Sequence, residues 1–312
     1  MEKKAVVTGA NGFVGRHLVK ELVENGYFVT AVIRENSKYL DVLKGYENVS
    51  IVYCELEDAV NLPEYISNDI QGAVFFHLAW EGHFGDKRKD YALQLKNAKN
   101  AVDMAVSASR MGCVRFVVSG SVTQLMYRDY LRENGIHPEM VTCYSVGKMS
   151  AEAMLKCICP NLEIQLIWAY ISNFYGEDDN TANFINFLID TYLKGEIPVL
   201  TSGEQFADFM HVDDVACALR ILGEMDEDNK SIYIGYGCPR PLKEYIKIIH
   251  DAISPENETG IGGKPFSGHS IDYQVIDYKE FQNKTGFHPS ISFDEGIRRV
   301  INVRKDKINN NE

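Results

Sequence analysis

The sequence lacks paired cysteines, long apolar stretches and a secretory leader. Its seven cysteines are scattered with no C-x-x-C pair, which argues against a disulfide framework and against a zinc site. No run approaches the ~18 apolar residues that a membrane span requires. Residues 1–4 lead directly into an apolar strand pattern, without the features of a signal peptide. These absences predict reduced thiols, no membrane segment and a cytoplasmic location.

Positive charge is also scarce. The 312 residues carry 32 Lys and Arg against 44 Asp and Glu, a formal net charge of −12, so the average surface repels a phosphate backbone. This balance argues against a nucleic-acid binder, but one anionic small molecule can still bind to a local set of backbone amides. With 45% hydrophobic and 24% charged residues, the chain can bury the core of one large domain or two modest ones.

The first half of the chain alternates short β-branched runs with helical patterns. The strand patterns lie at 5–7, 28–33, 49–52, 73–77, 115–118 and 164–168. Helical patterns at 13–24, 88–110 and 143–157 separate them. This alternation predicts an α/β fold over 1–172, a doubly wound parallel sheet of the Rossmann type.

The alternation weakens after residue 173. A helix is predicted at 181–194, a short strand at 198–200 and a last helix from Asp294. We therefore expect a smaller C-terminal lobe. It comprises 173–205 and 237–312, with 206–236 returning to the first domain.

A glycine-rich turn joins the first strand to the first helix. Residues 8–15 read TGANGFVG, spaced G-x-x-G-x-x-G rather than G-x-G-x-x-G. Glycines here permit the bend, the approach of a pyrophosphate and close packing of helix on strand, while the helix N-terminus attracts phosphate. The pattern predicts a dinucleotide cofactor; the alternative is a turn that is merely rich in glycine. The candidate ligands are Gly9, Asn11, Gly12, Phe13, Val14 and Gly15.

The second strand pattern is followed directly by an arginine. At this point an acid holds the ribose 2′-hydroxyl of NAD, whereas an arginine accommodates the 2′-phosphate of NADP. Arg34, with Asn36 and Ser37 as hydrogen-bond donors, favours NADP(H) over NAD(H). Glu35 is a competing signal, because a shift of one residue would place a carboxylate at the ribose.

Tyr144 and Lys148 stand four residues apart at the start of a predicted helix. Residues at i and i+4 share a helix face, so the ammonium is expected to lower the pKa of the phenol from about 10. Ser121, near the end of the fifth strand pattern, adds a hydroxyl at the edge where parallel sheets bind ligands. The pattern predicts an acid–base site. The alternative is a surface pair, with loop hydroxyls bonded to their own backbone.

Together these motifs resemble the extended short-chain dehydrogenase/reductase family, in its NAD-dependent epimerase/dehydratase branch. The resemblance extends over most of the chain. It comprises the TGANGFVG turn, the trio Ser121, Tyr144 and Lys148, HLAW at 77–80, Asn97, NFYG at 173–176 and FMHVDDV at 209–215.

The resemblance implies a role for each matched position. Lys148 would also hold the nicotinamide ribose, and Glu55 and Leu56 would contact adenine. The other implied cofactor contacts are Leu78, Ala79, Trp80, Asn97, Tyr144 and Ile171. Asn173 in the substrate-binding C-terminal lobe would contact a diphosphate, and Thr123 and His83 would face a sugar. Relatives often form homodimers through the helices near 88–110 and 143–157.

Three departures from the family pattern narrow the reaction. Residues 122–124 carry no carboxylate where dehydratases place an Asp-Glu pair, which argues against dehydration. Ala207 and Tyr170 stand where many members have arginines that clamp a substrate phosphate. A nucleoside-diphosphate clamp would therefore require a Lys or Arg from 240–300.

The sequence therefore predicts an NADP(H)-preferring reductase of a nucleotide-linked 4-keto-6-deoxy sugar, with Tyr144 as proton donor and no metal. One alternative is an NAD-dependent nucleotide-sugar 4-epimerase that uses the same trio. Two others are a reductase of a small ketone and a non-catalytic dinucleotide-sensing protein on the same fold.

Overall fold

The computed structural model describes residues 2–37, 39–134, 142–266 and 270–310. The chain divides into two compact units. Unit 1 comprises Met1–Ile171 and Val215–Ile234, and unit 2 comprises Ser172–Asp214 and Gly235–Glu312. The part that the structure describes contains no helix long and apolar enough to cross a membrane.

Strands and helices alternate through most of unit 1. The strands are β1 (Lys3–Thr8), β2 (Tyr27–Ile33), β3 (Val49–Tyr53), β4 (Val74–His77), β5 (Arg115–Ser121), β6 (Gln165–Ile171), β7 (Asn173–Tyr175), β8 (Phe206–Ala207), β9 (Phe209–His211), β10 (Lys230–Ile234) and β11 (Arg240–Pro241). The helices are α1 (Phe13–Glu24), α2 (Leu40–Lys44), α3 (Leu62–Tyr65), α4 (Tyr91–Arg110), α5 (Val122–Asn134), α6 (Cys143–Ile158), α7 (Phe184–Leu193), α8 (Val212–Glu224), α9 (Leu242–Ile253), α10 (Glu280–Thr285) and α11 (Phe293–Asn309).

Among the described residues, one seven-stranded sheet forms the centre of unit 1. Its order is β3-β2-β1-β4-β5-β6-β10, and every neighbouring pair is parallel. The strands are almost continuously apolar because helices cover both faces, as in β5, where Phe116, Val117 and Val118 are fully buried. The predicted doubly wound α/β fold is therefore confirmed. The strand order reverses between β1 and β4, which is where open α/β sheets bind ligands.

Helices α4 and α6 pack on one face of this sheet. Small residues allow a close approach, since a Cβ on Gly147 of α6 would lie 2.9 Å from the carbonyl oxygen of Gln94 of α4. Ala101 and Ala105 of α4 and Leu155 of α6 belong to the same buried core. This packing places the start of α6, which carries Tyr144, beside the carboxyl ends of β4 and β5.

Unit 2 has its own core around two short strand pairs. β7 pairs with β9 in parallel, and β8 pairs with β11 in antiparallel orientation. Helices α7, α9 and α11 contribute Leu188, Tyr245 and Ile297 to a buried cluster that also contains Tyr175.

Several predicted elements differ from the structure. The strand predicted at 198–200 is wrong; the amide of Leu200 bonds to the carbonyl of Gly260 in a loop rather than to a strand. The last helix begins at Phe293, one residue before Asp294, with Ser292 as its N-cap. The second segment of unit 1 is Val215–Ile234, whereas the sequence predicts that 206–236 return to the first domain. β9 lies outside this segment and pairs with β7 within unit 2.

Candidate active site

The turn between β1 and α1 is built on glycines. Gly9 has a φ of +68°, and a Cβ there would lie 3.0 Å from the backbone nitrogen of Ala79. A Cβ on Gly15 would lie 2.1 Å from the carbonyl oxygen of Gly9, a distance that no side chain can occupy. The turn therefore needs glycine at both positions, one for its conformation and the other for the contact of helix with strand.

The N-terminus of α1 is suited to an anion. Gly12 is the N-cap residue and makes no side-chain cap hydrogen bond, and the first turn contains no acidic residue. The positive end of the helix dipole is therefore not compensated by an acidic residue within the first turn of α1. Phosphate groups bind at such helix starts, so the turn fits the pyrophosphate of a dinucleotide.

A cleft of about 360 Å³ lies beside this turn within unit 1. It follows the carboxyl ends of β1, β2 and β4. The predicted residues that line it are Gly9, Gly12, Arg34, Glu55, Leu56, Leu78, Ala79, Trp80, Asn97 and His83. The predicted residues outside its lining are Asn11, Phe13, Val14, Gly15, Asn36, Ser37, Ser121, Thr123, Tyr144, Lys148, Ile171 and Asn173. Sequence reasoning missed several lining residues, among them Cys54, Glu57, Lys96, Asn100 and Met104.

The residues that follow β2 are those for which the sequence predicts a role in the choice between NAD and NADP. Arg34 lines the cleft, whereas Glu35 does not. The amide of Ser37 bonds to the carbonyl of Arg34 at 3.2 Å, which closes a turn. Within the described part of the chain, the Ser37 hydroxyl is buried without a hydrogen-bond partner. The Ser37 side chain is not among the residues that line the cleft.

Asn97 and Trp80, two of the predicted cofactor contacts, use their polar side-chain groups in hydrogen bonds within the wall of the cleft. Asn97 of α4 accepts from the amide of Glu81 at 3.2 Å and donates to the carbonyl of Glu81 at 2.8 Å. The Trp80 indole donates to the Gln94 side chain at 2.8 Å. Both contacts fix the loop after β4 against α4.

Tyr144 is buried at the start of α6, where its phenol is hydrogen-bonded with the Ser121 hydroxyl. Burial raises the pKa of Tyr144, while the Ser121 bond and the charge of Arg88 oppose that rise. Ser121 is itself positioned by Gln124, whose side-chain oxygen accepts from the Ser121 amide at 2.8 Å. The structure thus brings two of the three predicted catalytic residues into contact.

The Lys148 amine contacts a carbonyl and an indole ring, and its predicted effect on the phenol stays a prediction. Its Nζ donates to the carbonyl of Ser119 at 2.5 Å and lies 4.0 Å from the centroid of the Trp80 ring. Burial lowers its pKa to about 7. The cation near Tyr144 is instead Arg88, whose guanidinium carbon lies 4.5 Å from the phenol ring centroid. No sequence pattern distinguished Arg88 from the lysines that flank it.

The three predicted substrate contacts lie in different surroundings. The Thr123 hydroxyl is 3.0 Å from that of Ser121 and accepts from Ser145 at 3.3 Å. His83 is exposed at the rim of the cleft, with Nδ1 3.3 Å from the carbonyl oxygen of Trp80. Asn173 belongs to unit 2, where it pairs with Phe209.

At the two positions where the family pattern predicts arginines, this chain has Tyr170 and Ala207, and both make other contacts. The Tyr170 hydroxyl donates to the buried carboxylate of Glu152, at 2.7 Å from one of its oxygens. In unit 2, Ala207 of β8 stands directly opposite Arg240 of β11. Arg240 lines a pocket of about 120 Å³, and its guanidinium lies 4.3 Å from the centroid of Tyr245.

No group of three or more His, Cys, Asp or Glu that could hold a metal occurs among the described residues.

Comparisons with known proteins show the family to which the chain belongs. Residues 5–235 match the NAD dependent epimerase/dehydratase family. The chain is 23% identical to the CDP-abequose synthase of Salmonella typhimurium, over 96% of this chain and 98% of that protein. It is 24% identical to the dTDP-4-dehydro-6-deoxyglucose reductase of Escherichia coli, over 95% of this chain and 96% of that protein.

A solved structure has the same fold. The UDP-glucose 4-epimerase of Thermotoga maritima, determined with UDP-glucose, superposes with a TM-score of 0.75 at 22% identity. The match covers 98% of this chain and 99% of that one. With its glycine turn, its cleft and its family match, the chain belongs to the NAD dependent epimerase/dehydratase family and is an NAD(P)-dependent enzyme of the extended short-chain dehydrogenase/reductase type.

Proposed function

We propose that the protein is an NADP(H)-preferring reductase of a 4-keto-6-deoxy sugar carried on a nucleoside diphosphate. The observation that carries this proposal is the Tyr144 phenol, buried at the end of β5 and hydrogen-bonded with the Ser121 hydroxyl. Burial raises the pKa of the phenol, so Tyr144 keeps its proton at neutral pH. A protonated phenol is the form that a reductase needs, because reduction of a ketone must end with proton donation to oxygen.

The chemistry that a nicotinamide held at the glycine turn would supply is hydride for the carbonyl carbon. The residues of the chain would hold the oxygen and donate the proton. Tyr144 donates its proton to the oxygen on which negative charge develops, and the Ser121 hydroxyl holds that oxygen by a hydrogen bond. The Ser119 carbonyl accepts a hydrogen bond from the Lys148 amine at 2.5 Å, and by resemblance to the family this amine would hold the nicotinamide ribose. The Gln124 side chain fixes the Ser121 backbone and so orients the pair.

The preference for NADP(H) rests on the end of β2. Arg34 lines the cleft and Glu35 does not, which supports a cation rather than the Glu35 carboxylate as the group that would face the adenosine ribose. Glu55 and Leu56 would contact adenine, and the glycine turn would hold the pyrophosphate.

The nucleoside-diphosphate part of the substrate is assigned to unit 2, as the substrate-binding lobe with Asn173. Residues directly opposite each other in an antiparallel pair point to the same side of the sheet. Arg240 therefore projects from the side on which a residue at position 207 would project. A guanidinium at this place can bind a diphosphate with paired hydrogen bonds, which supplies the charge that Ala207 lacks.

A 4-epimerase with a tightly held NAD is the second candidate, since the family is named for epimerases as well as dehydratases. Both reactions use Ser121, Tyr144 and Lys148. They differ in whether the reduced cofactor is consumed: a reductase oxidises one NADPH for each product, and an epimerase leaves the amount of cofactor unchanged.

The test is therefore to incubate the protein with nucleotide-linked 4-keto-6-deoxy sugars and either NADPH or NADH while following the nicotinamide absorbance. We expect NADPH to be oxidised in proportion to product, and faster than NADH. Formation of a 4-epimer without net oxidation would establish the epimerase instead. Reduction of a small ketone that carries no nucleotide, with no reduction of the nucleotide-linked sugars, would refute a sugar substrate. Binding of the dinucleotide without turnover of any substrate would indicate a sensing protein.

Tyr144→Phe removes only the hydroxyl that donates the proton. We expect kcat to fall about 10²–10⁴-fold, with the dissociation constant of NADPH nearly unchanged. Tyr91→Phe, at an exposed position on α4, is the control and should retain full activity. A Tyr144→Phe variant with normal kcat would refute the role of the phenol.

We also propose that the protein works as a homodimer in a reducing cytoplasm. α4 and α6 carry exposed apolar side chains, among them Leu95 and Met154, which suit contact with a second copy. All seven cysteines are free thiols, as is usual in a reducing compartment.

A further inference from the structure

Three consecutive cations occupy a short 3₁₀ segment, Gly85–Lys89, that precedes α4. Lys87 pairs with Glu81 at 2.7 Å and Lys89 pairs with Asp86 at 2.8 Å, and both lysines are exposed. Arg88 lies between them but is half-buried and directed inward, with its guanidinium carbon 4.5 Å from the Tyr144 ring centroid. Within the described part of the chain, no carboxylate pairs with Arg88, and its Nε is buried without a hydrogen-bond partner.

If Arg88 served only to pack against the Tyr144 ring, its burial would lower the stability of the fold. Burying a guanidinium without a carboxylate is unfavourable, and burial lowers the pKa of Arg88. An apolar side chain would cover the Tyr144 ring without that cost. What the guanidinium adds is a positive charge on the ring face, within the range of an attractive cation–π contact.

Among the described residues, the other groups that contact Tyr144 supply no permanent charge. Ser121 on β5 is a neutral donor, and Trp80 meets the phenol ring edge-to-face with centroids 6.2 Å apart. On α6 itself, Lys148 directs its Nζ to Ser119 and Trp80, and burial lowers its pKa to about 7, so it is only partly charged at neutral pH. An arginine remains charged at any working pH.

We propose that Arg88 is a positioning residue that supplies the permanent positive charge beside the Tyr144 phenol and so makes the phenol a better proton donor. The proposal depends on the proposed function for its kinetic consequence, but not for its effect on the phenol. A positive charge stabilises the phenolate that forms when the proton leaves. The direction agrees with the charge effect at Tyr144, where Arg88 opposes the rise in pKa that burial causes.

The test reads the phenol directly and then through the reaction. Fluorotyrosine, which ionises at lower pH than tyrosine, is placed at position 144, and its ionisation is followed by fluorine NMR with and without NADPH. Arg88→Gln should raise the ionisation midpoint by about one pH unit, and Arg88→Lys should leave most of the charge effect in place. Lys87→Gln and Lys89→Gln remove one charge each from exposed neighbouring positions and should shift the midpoint little.

In the enzyme with natural Tyr144, Arg88→Gln should lower kcat about three- to tenfold and move the alkaline fall of kcat to higher pH, with Arg88→Lys restoring both. Arg88→Met, which keeps the aliphatic stem over the ring, should behave as Arg88→Gln; a Met variant that retains the normal midpoint would reduce the role to packing. An unshifted midpoint in Arg88→Gln, or equal shifts in Arg88→Gln, Lys87→Gln and Lys89→Gln, would overturn the proposal. A shifted midpoint in a protein that reduces no sugar would support Arg88 while refuting the proposed function.

Discussion

Lys148 is an amine enclosed between a carbonyl oxygen and an indole face, with almost no access to water. Burial lowers its pKa to about 7, against about 10.4 for lysine in an unfolded chain. Between these two values the unfolded chain binds the proton more tightly than the folded protein, so stability rises with pH across this window. Below about pH 7 both states are protonated, and the cost of burying the charge is complete.

Lys148→Met is therefore expected to stabilise the cofactor-free protein while abolishing turnover. Each pKa unit corresponds to about 1.4 kcal/mol, so a Tm gain of roughly 3–8 °C at acidic to neutral pH is expected, and the gain should shrink towards pH 10. Calorimetry at several pH values measures this. Lys20→Met, at an exposed position on α1, is the control and should change Tm little. A Lys148→Met variant less stable than the parent at low pH would contradict this account.

At the scale of elements, a two-residue strand pair places the proposed diphosphate ligand. β11 puts Arg240 opposite Ala207 of β8, and the rings of Tyr245 and Phe293 hold the guanidinium at 4.3 and 5.8 Å. This support fixes a planar cation at low entropic cost, which suits bidentate binding of phosphate.

Arg240→Met should raise the KM for the nucleotide sugar about 10–100-fold, because it removes charge-assisted hydrogen bonds to the diphosphate. The dissociation constant of NADPH should remain unchanged. Lys243→Met, at a half-buried position whose ammonium pairs with Glu204, provides the control in the same unit. Steady-state kinetics with the nucleotide sugar as the varied substrate measure the KM of both variants. An unaltered KM in Arg240→Met would show that the diphosphate binds elsewhere.

At the scale of the whole molecule, the exposed apolar residues of α4 and α6 predict the oligomeric state. Leu95 is 56% exposed and Met154 is 59% exposed, and the proposed dimer would cover both side chains. Leu95→Glu combined with Met154→Glu should convert a dimer into a monomer of 35.3 kDa, because two like charges would meet their symmetry mates. Light scattering after size exclusion measures the mass.

Val42→Glu, at an apolar position on α2 with comparable exposure, should leave the dimer intact. A parent protein that is already monomeric, or a double variant that remains dimeric, would rule out this interface.

The sequence by itself determined the architecture of unit 1 and the location of the cofactor turn. The apolar runs of β1 and β5 and the helical period of α4 are local patterns, and a parallel sheet covered on both faces follows from their alternation. The glycines at 9 and 15 could also be assigned in advance, because strand, tight turn and helix allow few other residues there.

Only the tertiary structure decided which positively charged side chain lies beside the Tyr144 phenol and which arginine lies opposite Ala207. Helical spacing put Lys148 on the face of Tyr144, but the amine is held by Ser119 and Trp80, which come from β5 and the loop after β4. Arg88 and its two neighbouring lysines look alike in the sequence, and only the packing of the 3₁₀ segment against α6 directs one of them inward. Side-chain direction in irregular segments, and the register of strands distant in sequence, depend on non-local contacts that no local pattern encodes.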